Sequence, residues 1–135
     1  MDDCRFCAIV DGDRDAHVLH DGEETLAFLD ANPATNGHTL VVPKTHVGDL
    51  LLANGATAVA VMETAQAVAL AMERTLDPDG FSVFHTTGGL VGHVEHAHLH
   101  LLPRFAGDDV HLALDRDELG DADADRILGR IRDGL

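Results

Sequence analysis

The stretch His93–Arg104, HVEHAHLHLLPR, holds four histidines in its first eight residues, and three of them, His96, His98 and His100, alternate. Alternation is the period of a β-strand: successive side chains point to opposite faces, and residues two apart stand about 7 Å from one another. Read as a strand, the stretch puts three imidazoles on one face and Ala97, Leu99 and Leu101 on the other, toward a core. Imidazoles contribute little to packing, so the arrangement calls for a chemical use. A metal ion held by all three is geometrically awkward, because the outer pair would lie roughly 13 Å apart. Division of labour fits better: one imidazole is a nucleophile while its neighbours orient it or contact a phosphate. Neutral imidazole suits that work, since its ordinary pKa lies near physiological pH.

Upstream of this strand, HVLH (17–20) and ETLAFLD (24–30) read as two short strands joined by a turn. After the turn-rich loop ANPATNG (31–37), HTLVVPK (38–44) is a third strand that Pro43 closes. Asn54 is the expected N-cap of a long helix over 55–76 that ends before DPDG. Its apolar residues cover more than one stripe, which predicts packing on two sides. FSVFH (81–85) is the fourth strand, TTGGLVG (86–92) a glycine-rich loop, and VEHAHLHLLP (94–103) the fifth strand. A polar linker leads to a short C-terminal helix over 121–135, with Ile127, Leu128 and Ile131 on its inner side. This order predicts an α+β fold in one domain, residues 1–135: a five-stranded antiparallel sheet with one long and one short C-terminal helix.

The charge narrows the partners. The chain carries 24 acidic and 9 basic residues, a formal net of −15, and Lys44 is its sole lysine. Such a surface repels polyanions, which argues against DNA, RNA and acidic membranes as partners. It fits concentrated salt, where the Debye length shrinks to about 3 Å at 1 M and self-repulsion is screened. No run of apolar residues reads as a membrane span, and MDDCRFCAIV lacks the pattern of a signal peptide, so a cytoplasmic location is expected. In a reducing compartment the C-x-x-C pair Cys4 and Cys7 points to metal or redox chemistry before a disulfide. A redox centre is the weaker of these, as no βαβ context surrounds the pair.

HAHLHLLPR (96–104) resembles the H-φ-H-φ-H-φ-φ signature of the histidine triad (HIT) superfamily of nucleotide hydrolases and transferases. The similarity extends to CRFCAIV (4–10), to LAFLDANPATNGHTLVVPKTHVGDL (26–50) and to PRFAGDD (103–109), and so covers nearly the whole chain. It is closer to the Hint-like and bacterial or archaeal HIT proteins than to the much longer galactose-1-phosphate uridylyltransferases. The resemblance implies the HIT-like fold and a role for each matching residue. His98 would attack the α-phosphate of a purine nucleotide derivative and form a nucleotidyl-histidine intermediate. His100 and His38 would lie against the phosphate, with Asp30, beside Ala31, on the ribose hydroxyls. Phe6, Ile9 and Phe28 are candidates for the walls of the base site, and each is equally suited to a core.

Many relatives bind zinc through the residues that match Cys4, Cys7, His46 and His96. Two thiolates and two imidazoles make a closed tetrahedral set of the structural kind, which would staple the N-terminus to the third and fifth strands. The chain departs from the family where phosphate is usually contacted. His85 stands at an asparagine position, and VGHV replaces GQ(S/T)V. Gly92 and His93 then occupy the glutamine and serine places, or a one-residue deletion sets His93 at the glutamine. In either alignment His85 and His93 are expected to line the pocket and add donors for an anion.

Two functions are open at this stage. One is an enzyme acting on nucleoside phosphoramidates or dinucleoside polyphosphates; the other is a nucleotide-binding regulatory protein with little turnover. The resemblance also implies a homodimer formed through the long helix and an edge strand. His17, His20 and His111 match no motif and are expected at the surface, and Arg104 is expected to anchor local structure.

Overall fold

The structure, a computed structural model, describes residues 4–89 and 94–135. Its elements run α1 (Arg5–Val10), β1 (Val18–Asp21), β2 (Thr25–Leu29), β3 (Thr39–Pro43), α2 (Gly55–Leu76), β4 (Gly80–Phe84), β5 (Leu99–Arg104) and α3 (Asp121–Gly134). The five strands form one antiparallel sheet in the order β1-β2-β3-β5-β4, the expected fold class.

Alternation along the strands divides the sheet into two apolar faces. Ala27, Val41, Leu99 and Leu101 face Val61, Ala65, Val68 and Met72, a stripe along α2 at helical spacing. On the other face Leu26, Phe28, Leu40 and Val42 pack around Phe6 of α1. Burying each large side chain here contributes about 1.5–3 kcal/mol. The predicted cap of α2 is present: Asn54 Oδ1 accepts the Thr57 N–H at 2.9 Å. Asp77 ends the helix in the left-handed region at φ 49°, which its short polar side chain tolerates, and Pro78 follows.

The structure corrects four expectations. First, α2 is long and apolar enough, by length and composition, to cross a membrane, which the sequence reading passed over. In this fold it lies across β2, β3 and β5 as a core helix. Second, one side of α2 packs within the chain and the other is exposed at Val59, Met62 and Leu70, because a single sheet face is available to it.

Third, β5 begins at Leu99 and not at 94. The ladder with β3 ends at Val41–Leu99; Pro43 has no N–H to continue it, and its carbonyl accepts from the His96 ring at 2.7 Å. Residues before the strand are held elsewhere, as by the Ala97 N–H on the Val47 carbonyl at 2.6 Å. Fourth, Ile127, Leu128 and Ile131 of α3 are 41%, 44% and 57% exposed. With α2 on one face of the sheet and α1 on the other, no face of the core is left to receive α3, and none of its residues is buried. The short helix α1 was not foreseen.

Candidate functional site

The triad side chains rise from the face that carries Phe6. On that face β2 places Phe28 and, one residue past its end, Asp30; β3 places Leu40 with His38 just before it; β5 places His100 opposite Leu40. Phe6 meets the rings of both His96 and His98 edge-on, with centroids 6.0 and 5.0 Å away. His98 and His100 lie 5.0 Å apart, and Phe84 of β4 stacks on His100 at 4.3 Å.

Backbone groups fix which nitrogen of each imidazole carries the proton. The His96 carbonyl can only accept, so the His98 nitrogen 2.8 Å from it, Nδ1, is the donor. That leaves the lone pair of His98 on Nε2. The Ala34 N–H donates to His38 Nδ1 at 3.0 Å, which puts the His38 proton on Nε2. His38 Nε2 then donates to His100 Nδ1 at 2.9 Å, with Asp30 Oδ2 3.5 Å from the same nitrogen. His100 in turn carries its proton on Nε2. The result is a directed chain, from Ala34 through His38 to His100, ending in a donor. It stands beside His98, whose Nε2 carries a free lone pair.

Burial keeps these rings neutral. It pushes His100 down to about 4, helped by the charges His98 and His38 would carry. His98 and His38 are lowered by burial as well, and the Asp30 carboxylate opposes the change in each. Alongside the triad a cavity of about 280 Å³ is lined by Phe6, Ile9, Phe28, Asp30 and Ala31. Phe6 and Phe28 therefore serve both as core and as pocket wall.

Cys4, Cys7, His46 and His96 converge, with their ligand atoms within 4.8 Å of one another. The donor set can be tested for zinc by distance. Tetrahedral zinc with Zn–S near 2.3 Å and Zn–N near 2.0 Å has sulfur-to-nitrogen edges of about 3.5 Å. Here His96 Nδ1 is 3.5 Å from both sulfurs and His46 Nδ1 is 3.2 Å from Cys7 Sγ. His96 donates through Nε2 to Pro43, so its Nδ1 lone pair faces the sulfurs as a ligand must. Burial and the adjacent Cys4 push the Cys7 thiol up, the electrostatic cost that a cation among the sulfurs would remove. The residues fit the metal.

A family model for the HIT domain matches residues 11–107. The chain belongs to the HIT family. An uncharacterized HIT-like protein of Methanocaldococcus jannaschii is 35% identical over 96% of this chain and 98% of its own length. A zinc-bound histidine triad family protein from Mycobacterium smegmatis superposes with a TM-score of 0.74 at 34% identity, over 98% of both chains. An adenylylsulfatase of Arabidopsis thaliana is 30% identical over 77% of this chain, which spans about half the length of that relative.

Within this HIT chain the departures sit as follows. His85 lies one residue past β4, where its Nε2 accepts the Leu50 N–H at 3.4 Å. Like His38, His98 and His100 it is not among the residues that line the cavity beside Asp30, and a charge on it would reach both His98 and His100. Gly92 and His93 lie outside the described residues.

Arg104 anchors local structure as expected, gripping Asp108 through two nitrogens, at 2.6 and 3.0 Å, and holding that carboxyl well below its usual range. Lys44 pairs with Asp21. His17 is exposed, as expected, yet it also lines the cavity with Arg14, Asp15 and Asn32, which the sequence reading missed. The turn after α1 brings the first three of these there, and without α1 no sequence signal places them.

Proposed function

We propose that this protein is a nucleotide hydrolase or transferase acting at the α-phosphate of purine nucleotide derivatives, nucleoside phosphoramidates or dinucleoside polyphosphates, through a nucleotidyl-His98 intermediate. The observation that carries this reading is the His98 Nδ1–H bond to the His96 carbonyl at 2.8 Å. It aims a basic Nε2 at the site and stabilises the positive ring that forms on attack. The Nε2–P bond forms as the bond from phosphorus to the leaving group breaks, and the leaving group departs with the electron pair, an amine taking a proton from solvent as it goes. His100 Nε2–H, oriented by His38, donates to the phosphoryl oxygens as charge develops there. Water then attacks phosphorus, the N–P bond breaks, and the nucleoside monophosphate leaves. Asp30 accepts the ribose hydroxyls, and Phe6, Ile9 and Phe28 enclose the base.

Zinc held by Cys4, Cys7, His46 and His96 is structural in this reading, because four protein ligands leave no open position. It ties α1, and with it Phe6, to the segments flanking β3 and β5. A homodimer, a cytoplasmic location and the absence of nucleic-acid or membrane partners complete the proposal; the charge of −15 supports the last.

The test is rapid-quench mass spectrometry with an adenosine phosphoramidate. An adduct on His98, absent in His98→Gly, is the expected result. A second reading, a nucleotide-binding protein with little turnover, is favoured by His85 being engaged with Leu50. Tight binding of AMP with no adduct and no AMP release would select it.

A further inference from the structure

We propose that Arg14 and Asp15 read the outer edge of the base and select guanine over adenine; this rests on the nucleotide reading above. The sheet sets the direction of the ligand. From His100 on β5 the order runs to His38 beside β3, to Phe28 and Asp30 on and after β2, and to His17 beside β1. Neighbouring strands lie about 4.8 Å apart, so the site is about 14 Å long, room for phosphate, ribose and base in sequence. With phosphate at the triad and ribose at Asp30, the base enters the cavity between Phe6, Ile9 and Phe28. Its six-membered ring, the part farthest from the ribose, then meets the opposite end of the lining.

His17, the residue before β1, stands at that end, and Arg14 and Asp15, three and two residues before it, line the same cavity. The backbone of this turn is fixed, with the Asp13 and Arg14 N–H groups both on the Ala8 carbonyl, at 2.9 and 3.2 Å. Among the described residues neither Arg14 nor Asp15 enters an ion pair. Arg5, also on the cavity, is engaged over the Phe6 ring at 5.5 Å.

A carboxylate and a guanidinium lining one cavity offer two acceptors and a fork of donors. Guanine presents the complement: N1–H and N2–H₂ for the carboxylate, O6 and N7 for the guanidinium. Adenine presents an N1 lone pair where guanine has a proton, and that lone pair repels a carboxylate. Hypoxanthine keeps N1–H and O6 and lacks the 2-amino group, so it should fall between them.

The experiment is calorimetric titration of the full chain with GMP, IMP and AMP. GMP should bind about tenfold tighter than AMP, with IMP between them. Asp15→Asn and Arg14→Ala, both at exposed positions, should each bring the GMP-to-AMP ratio within about twofold of unity. Equal binding of the three nucleotides, tighter AMP, or a ratio that survives both substitutions would overturn the inference and leave the nucleotide reading intact. Failure of all three to bind would overturn both.

Discussion

His96 and His98 are directed by backbone carbonyls and His100 by His38, itself set by the Ala34 amide, and the tautomers follow from these groups. His98 is therefore expected to be indispensable: His98→Gly should lower turnover by at least about a thousandfold while AMP binding, read by calorimetry, changes little. His100 carries a pH signature. Folded, it titrates near 4, against about 6.5 for a free imidazole. Between those values the unfolded chain takes up a proton that the folded chain refuses. Stability should fall as pH drops from about 6.5 toward 4, level off below, and be insensitive to this group above. Thermal melts should show that decline in the wild type and a shallower one in His100→Gln; NMR of the imidazoles should find a midpoint near 4. Strand alternation alone placed His98 and His100 on one face. The tautomers were not legible, because the Pro43 carbonyl and the Ala34 amide lie 53 and 4 residues from the rings they fix.

Among the elements, the short helix α1 depends most on what surrounds it. Six residues are too few for a stable helix alone, and Cys4 caps it through sulfur, a weak acceptor, at 3.3 Å from the Cys7 N–H. Phe6 and the cluster of Cys4, Cys7, His46 and His96 hold it, so the proposed base wall and the proposed zinc set should stand or fall together. The wild type should carry about one zinc ion per chain by metal analysis, and Cys4→Ser should lose it and lower the thermal midpoint by several degrees. Freely alkylated Cys4 and Cys7 in native protein would count against the metal. The helix α3 should behave in the opposite way. With no buried residue, its removal by truncation after Gly120 should move the midpoint by no more than a few degrees. Both helices were hard to judge from sequence for one reason. Amphipathic pattern and length describe a helix by itself, while α1 depends on Phe6 and the Cys4, Cys7, His46 and His96 cluster, and α3 has no buried residue. The long helix α2 was legible to its cap because 22 residues of high helix propensity need no such context.

At the scale of the whole molecule, an apolar surface and a large negative charge oppose each other. Val59, Met62 and Leu70 of α2 are each about half exposed, as are Val83 and Phe84 on the edge strand β4. A helix side and a sheet edge of this kind are what a second copy would cover, by packing of the helices and continuation of the sheet. Two copies, however, bring two charges of −15 together. At 0.01 M salt the Debye length of about 30 Å lets that repulsion act across the assembly; at 1 M, about 3 Å, it is confined to nearest neighbours. Association should therefore tighten with potassium chloride, and the thermal midpoint should rise with it and depend on protein concentration. Light scattering should find dimers at micromolar concentration in molar salt and monomers when salt is removed. Met62→Glu and Leu70→Glu should give monomers in both conditions, since each buries a carboxylate against its symmetry mate. A wild-type monomer in molar salt, or a midpoint unchanged from low to high salt, would show that these exposed residues and this acidic surface serve something other than a salt-dependent dimer.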